Sequence, residues 1–347
     1  MKIALRDSQN KVSCKKANKP VLKQANDVLV KIVYTSICGS DIERVRSKDK
    51  KWNSIVLGHE AVGEVVDIGK DVKNLKIGSR VAIIPLIPCY SCHFCGEGNY
   101  SLCEDYSFIG SRINGTFAEY IVVDYKNLLK LPEDKDFEKY VFIEPLSISL
   151  HAIYKTKIKF GQTAAVLGTG TIGLLTFQIL KNLGVCDVVI TDIDQKKINI
   201  AKNLGASHIV NSKDGSLTNY IKNNIDRYGV DVTFESSGAN AAKIDAIHIT
   251  KPKGTIVLVG TSPNKINFSG KTFELITRKE LNINGSWMSY SYPFPGLEWS
   301  TALKILKNNM LDVKQMVTHR YKLEEINAAF NMIFNSDQSY CKVIINM

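Results

Sequence analysis

Residues 1 to 150 carry short apolar or alternating runs punctuated by Gly, Asp and Asn. DVLVKIVY (27–34), AVGEVVDIG (61–69), SRVAIIPL (79–86) and FAEYIVV (117–123) have the length and period of strands. FEKYVFIEPLSISLHAIY (137–154) changes to helical spacing, and Pro145 is expected to bend or restart that helix. From about residue 160 the rhythm changes again. AAVLG is followed by TIGLLTFQILKNLG, CDVVITD, QKKINIAKNLGA, HIV, an amphipathic segment to Tyr228, DVTFESSG, a helix and GTIVLVG. Strands alternating with helices predict a parallel sheet covered on both faces, closing with LNINGSW (281–287). Helices near 298–308 and 323–335 and a last strand, KVIIN, are expected to pack back onto the first part. The predicted class is α/β. A mostly-β domain spans residues 1–152 and is completed by 288–347, and a doubly wound parallel sheet spans 153–287.

Composition narrows the classes. A chain of 347 residues with 44% apolar and 23% charged positions suits about two globular domains. No apolar run approaches the ~18 residues of a membrane span. MKIALRDSQNKVSCKK turns polar early, so no signal peptide is visible and a soluble cytoplasmic protein is expected. The net charge is +11, but its lysines are dispersed and not interleaved with aromatics, which argues against a nucleic-acid binder. The excess charge forms a solvated surface or draws in an anionic substrate.

AAVLGTGTIG sets Gly168, Gly170 and Gly173 in G-x-G-x-x-G between a buried strand and a helix. Gly168 permits the tight turn, Gly170 the approach of a pyrophosphate, and Gly173 the close packing of helix on strand. Ile172 lies in the same turn. Asp192 ends the following strand, where an acid binds the adenine ribose and repels a 2′-phosphate. NAD is therefore expected over NADP, with Lys196 and Lys197 nearby leaving room for NADP.

Cys89, Cys92, Cys95 and Cys103 form C-x2-C-x2-C-x7-C. The long last gap and the Glu104 that follows do not fit an iron–sulfur run. Four thiolates fill a tetrahedral Zn2+, so this site is expected to be closed and structural. The window contains no Lys or Arg, which argues against a nucleic-acid-binding zinc ribbon. A second set is Cys38 in SICGSD, His59 and Glu60 in LGHE, and Glu144 in FIEPLS. Cys38 and His59 follow apolar segments in Gly-containing turns, and a carboxylate inside an apolar run needs a partner. A zinc with three protein ligands and one open position would gather them.

The order CGSD, GHE, the four-cysteine cluster, EP and GTGTIG resembles the zinc-dependent medium-chain alcohol and polyol dehydrogenases over essentially the whole chain. The resemblance implies a GroES-like catalytic domain plus a Rossmann domain, two zinc ions per subunit and NAD. It implies Cys38, His59 and Glu144 as catalytic zinc ligands, with Glu60 a fourth ligand or one water away. Ser40 matches the hydroxyl that begins the proton relay. Ser236 to Gly238, Val259 to Thr261 and Gly285 to Trp287 fall where family loops line the nicotinamide.

FIGSRINGTFAEYIVV, FIEPLSISLHA and GSWMSYSYPFPGLEWSTA resemble the galactitol-1-phosphate 5-dehydrogenase branch, in which NAD takes hydride from C5 to give tagatose 6-phosphate. The expected partner is thus a small sugar-alcohol phosphate, with no nucleic acid and no membrane. Sorbitol, xylitol, threonine and butanediol remain alternatives. Arg112 is the leading phosphate candidate, Lys48, Lys50 and Lys51 a second, and Trp52 and Trp287 candidate pocket walls. A homodimer or homotetramer joined through LNINGSW is implied by the same resemblance.

Overall fold

The strand at the centre of the first half, Asp27–Ile37, shows how pattern becomes core. Its alternating Val28, Val30 and Ile32 enter one apolar cluster with Val65, Val81, Ile83 and Ile121. Ile37, at its end, joins a second cluster with Leu57, Phe117, Val343 and Ile345. Each such buried aliphatic side chain contributes about 1.5–3 kcal/mol. The strand pairs antiparallel with Glu60–Ile68 on one edge. On the other edge it pairs with Tyr120–Asp124 along its first half and with Lys342–Asn346 along its second. The C-terminal strand thus returns to the first sheet as the sequence pattern predicted, and Val317–Lys322 lies parallel beside it.

The computed structural model describes residues 1–262, 265–335 and 338–347. They divide into two compact units. One comprises Met1–Glu144, Tyr290–Asn308 and Val317–Met347; the other comprises Pro145–Ser289 and Asn309–Met316. The division therefore falls between Glu144 and Pro145 rather than after residue 152. Residues 309–316, expected with the first domain, belong to the second unit. There Gln178 accepts from the Asp312 amide at 2.8 Å and donates to the Met316 sulfur at 3.4 Å.

Pro145 does not bend a helix but stands where the segment restarts as one. It sits in the first turn of Ile143–Tyr154, after the 3-10 turn Glu138–Phe142, where its missing N–H has no intrahelical acceptor to lose.

The second unit holds six parallel strands: Thr163–Leu167, Asp187–Asp192, His208–Asn211, Val230–Glu235, Thr250–Leu258 and Asn282–Gly285. Their spatial order is third, second, first, fourth, fifth, sixth. This is the doubly wound order, whose direction reverses beside the first strand and opens a crevice there. Leu167, Val189, Val230 and Ile256 fill its core. No helix among the described residues is long and apolar enough to cross a membrane.

Candidate metal centres and nucleotide site

Cys38 follows the strand Asp27–Ile37 and caps the helix Gly39–Arg46. The helix was not legible as such; only a turn was expected after Cys38. His59 precedes Glu60, the first residue of the neighbouring strand Glu60–Ile68. Strand pairing sets Ser36 opposite Glu60, which brings the Cys38 end of one strand beside the His59 end of the other. One donor atom each from Cys38, His59 and Glu60 lies within 4.8 Å of the other two. Thiolate, imidazole and carboxylate fit zinc, and three donors leave a tetrahedral position open.

Glu144 stands outside that set. It lies in the first turn of Ile143–Tyr154 and is 8% exposed. Burial pushes its carboxyl up to about 7; His59 and Lys342 pull it down, while Glu60 and Asp41 push it up. It therefore feels the same charges as the three-donor cluster. Glu60 differs, because a buried cation already balances it. Lys342, from the last strand, donates to Glu60 Oε2 at 2.7 Å, and Ser36 donates to the same oxygen. Both side chains of the Lys342–Glu60 pair are 2% exposed, so removing either would strand the other charge.

Asp41, which in the sequence stands out only as part of CGSD, organises the cluster. Fully buried, it accepts from the Cys38 amide at 3.1 Å and pairs with Arg44 at 3.2 Å. Its Oδ1 is 3.5 Å from His59 Nδ1. That is ion-pair range, and Nδ1 makes no regular hydrogen bond. Burial disfavours charge on both partners. Even so, Asp41 and Cys38 hold the imidazole well above its ordinary range, and His59 with Arg44 holds the Asp41 carboxyl below its own. A carboxylate behind a ligating imidazole orients the ring and raises its basicity.

Ser40 Oγ accepts from Arg44 Nη1 at 3.0 Å. The ring of Trp52, in the turn Lys50–Asn53, is 5.6 Å from the Arg44 guanidinium and 4.8 Å from the Lys51 ammonium. Arg112 is exposed, lies 3.8 Å above the Tyr106 ring and donates to the Tyr106 carbonyl. Trp287 is half-exposed and belongs to the second unit.

The four-cysteine cluster closes as the spacing predicts. All four sulfurs lie within 4.8 Å of one another, and Cys89 and Cys95 are 3.9 Å apart. Tetrahedral zinc with Zn–S of about 2.3 Å separates its sulfurs by about 3.8 Å. Amides of Cys89 and Cys92 donate to Cys103 and Cys89 sulfurs at 3.2 and 3.3 Å. His93 is exposed and pairs with Glu97, away from any need for a fifth ligand.

In the second unit Gly168 has φ +104°, and a Cβ on Gly173 would lie 1.9 Å from the Gly168 carbonyl. A Cβ on Gly170 would meet nothing within 4 Å, which leaves the start of the helix Thr171–Asn182 open to a phosphate. A cavity of about 490 Å³ adjoins this turn, lined among others by Gly170, Asp192, Lys197, Ser212 and Ser237.

Asp192 stands at its strand end as expected, with a further task. Its Oδ2 accepts from the Thr169 amide and hydroxyl, both at 2.7 Å. Its Oδ1 accepts from the amides of Ile193 and Asp194 at 2.8 and 3.0 Å. These four donors match the roughly four acceptor sites of a carboxylate. Asp192 thus holds the glycine turn in place while keeping its negative charge on the cavity wall.

Glu235 was not anticipated. It is completely buried, and its Oε1 accepts from Ser237 N, Ser237 Oγ and Gly238 N at 2.8, 2.6 and 2.8 Å. Its backbone carbonyl accepts from the amides of Val259 and Gly260, both at 2.9 Å. Lys243 reaches back to the Gly238 carbonyl at 2.6 Å and to Glu235 at 3.5 Å. One acid therefore ties together the two loops that carry Ser236, Gly238, Val259 and Thr261. The only signal was an acid ending an apolar strand, DVTFE, before SSG.

Residues 24–133 match the alcohol dehydrogenase GroES-like domain, and residues 171–308 match the zinc-binding dehydrogenase domain. Galactitol 1-phosphate 5-dehydrogenase of Escherichia coli K12 is 36% identical over 329 residues, covering 95% of each chain. D-xylulose reductase of Saccharomyces cerevisiae is 34% identical over 345 residues, covering 96% of this chain and 94% of that one. The crystal structure of galactitol-1-phosphate dehydrogenase from Escherichia coli superposes with a TM-score of 0.95 at 35% identity over the whole of both chains. The chain belongs to the zinc-dependent medium-chain alcohol and polyol dehydrogenases, enzymes built from a GroES-like and a Rossmann-type domain that use zinc and a nicotinamide cofactor.

Proposed function

We propose that the enzyme oxidises a secondary alcohol of a sugar-alcohol phosphate with NAD, and that galactitol 1-phosphate, giving tagatose 6-phosphate, is the substrate. The observation that carries the chemistry is the cluster of Cys38, His59 and Glu60 with Glu144 beside it. The likeness to galactitol 1-phosphate 5-dehydrogenase supports the substrate.

Cys38 and His59 hold the catalytic zinc with Glu144 or Glu60 as the third protein ligand. Glu60 is the residue already balanced by Lys342. Zinc held there would supply Lewis acidity to the bound hydroxyl, and a nicotinamide held at the glycine turn would supply the hydride acceptor. Asp41 orients the His59 ring, and Ser40 takes the hydroxyl proton towards solvent. Arg44 donates to Ser40 Oγ, so that oxygen's own proton is left to point elsewhere. Asp192 keeps negative charge beside the glycine turn, which favours NAD over its 2′-phosphorylated form. The cysteine cluster holds a second zinc that shapes its lobe. Two chains pair through the edge strand Asn282–Gly285, whose Ile283 is 40% exposed.

A second reading, oxidation of an unphosphorylated polyol, is favoured by the likeness to D-xylulose reductase. NAD+ reduction with galactitol 1-phosphate, galactitol, sorbitol and xylitol separates the two. A strong preference for the phosphate ester supports the first; equal or faster turnover of a neutral polyol overturns it.

A further inference from the structure

Arg44 occupies the last turn of the helix Gly39–Arg46, one turn after Ser40. Its Nη1 donates to Ser40 Oγ at 3.0 Å and to Asp41 at 3.2 Å. Asp41 has no exposed surface, so the guanidinium is anchored from inside, yet the Arg44 side chain keeps 19% exposure. Trp52 braces it from the side at 5.6 Å. Both hydrogen bonds use Nη1; Nε and Nη2 meet no acceptor among the described residues. That edge of a guanidinium presents parallel N–H groups, the geometry that grips a phosphate bidentately.

The competing cations are placed differently. The Arg112 guanidinium lies on the Tyr106 ring and donates to the Tyr106 carbonyl, with no contact to Ser40 or to the metal donors. Lys51 shares the Trp52 ring but pairs with Asp49 at 2.9 Å. Lys48 and Lys50 sit on the same loop without a buried anchor.

Resting on the phosphorylated-substrate reading above, we infer that Arg44 is the residue that recognises the substrate's phosphate monoester. Ser40 is the hydroxyl that meets the reacting alcohol, and Arg44 is one hydrogen bond away from it. A phosphate carried by a short polyol chain bound beside Ser40 is the anion this free edge is suited to take. The same side chain thereby positions the relay hydroxyl and selects the dianion. The lysines on the Trp52 loop add a diffuse attraction that brings the anion in.

The test compares galactitol 1-phosphate with galactitol in the wild type, Arg44→Gln, Arg44→Lys and Arg112→Gln, with inorganic phosphate as competitor. The ratio of kcat/KM for the two substrates is insensitive to the folded fraction of a variant. In Arg44→Gln that ratio should fall by about 10- to 100-fold, and inhibition by inorganic phosphate should weaken to a similar degree. Arg44→Lys should keep part of both, and Arg112→Gln should change them less than Arg44→Gln.

Equal losses on both substrates in Arg44→Gln, with phosphate inhibition intact, would reduce Arg44 to a positioning residue for Ser40 and overturn the inference while leaving the substrate assignment standing. A larger effect in Arg112→Gln would also overturn it. A wild type without preference for the ester, but with phosphate inhibition relieved by Arg44→Gln, would remove the substrate assignment and keep the anion site. A wild type with neither property would remove both.

Discussion

Two thiolate-containing clusters lie in one unit of this chain, and their surroundings differ. The Cys89–Cys103 cluster offers four sulfurs from a single loop, fixed by its own backbone amides. The Cys38 cluster offers one sulfur, one imidazole and one carboxylate, contributed by two strand ends. The first set completes a tetrahedron; the second leaves a position for a substrate oxygen. Behind the open set stand a buried acid, Asp41, and a buried cation, Lys342. Nothing comparable backs the closed one among the described residues. A closed site needs only its ligands to agree, whereas an open one must hold mismatched charges in register while one position stays free.

That contrast can be broken in stages. Cys38→Ala should lower kcat by about 10³-fold or more, while NAD binding, followed by nicotinamide fluorescence, stays within about twofold. Near-normal turnover would remove the open site from the chemistry.

Lys342→Met leaves Glu60 buried without its cation. It should cost about 3–5 kcal/mol of stability in denaturant unfolding, more than any exposed lysine on the same surface. A change under about 1 kcal/mol would mean that Glu60 finds another partner.

Asp41→Asn keeps the shape but withdraws the charge behind His59. Zinc affinity at the open site should drop about 10- to 100-fold, read by chelator competition, with the four-cysteine site unaffected.

The smallest effect is one of pH. Burial pushes the Cys95 thiol up to about 12, whereas hydrogen bonds from Ser91 and Cys92 draw Cys89 down to about 6. At the open site Asp41 and Cys38 hold the His59 proton to a pH well above the usual 6.5. Zinc must displace the protons that these raised groups hold, so binding at both sites weakens as pH falls. The cluster with more thiols releases more protons, so its affinity should fall more steeply between about pH 8 and 6. Equal slopes would contradict that assignment.

Much of this was legible in the chain. The parallel sheet, the glycine turn and the two donor sets are written in local spacing, because strand period, helix period and C-x2-C are short-range signals. Among the residues that the sequence hides, Lys342 acts over distance. Lys342 looks like the polar start of a strand in KVIIN; its partner Glu60 is 282 positions away, and only the pairing of the last strand with Asp27–Ile37 brings them together. The helix Gly39–Arg46 was hidden because GSDIERVR has only two apolar side chains, Ile42 and Val45, too few to display a period. Without that helix Asp41 and Arg44 could not be placed behind His59 and Ser40. The place of residues 309–316 in the second unit is hidden for a similar reason: Gln178, which fixes them, is one polar side chain within the buried run of the helix TIGLLTFQILKN and shows no partner in the sequence.

The division of labour between the two clusters is tested most directly by measuring zinc content and turnover in the same preparations of wild type, Cys38→Ala and Cys92→Ser. Wild type should carry about two zinc ions per chain and each variant about one. Turnover per folded molecule should vanish in Cys38→Ala and persist in Cys92→Ser, with Tm lowered in the latter by about 5–10 °C. A folded Cys92→Ser protein without activity, beside an active Cys38→Ala protein, would contradict it.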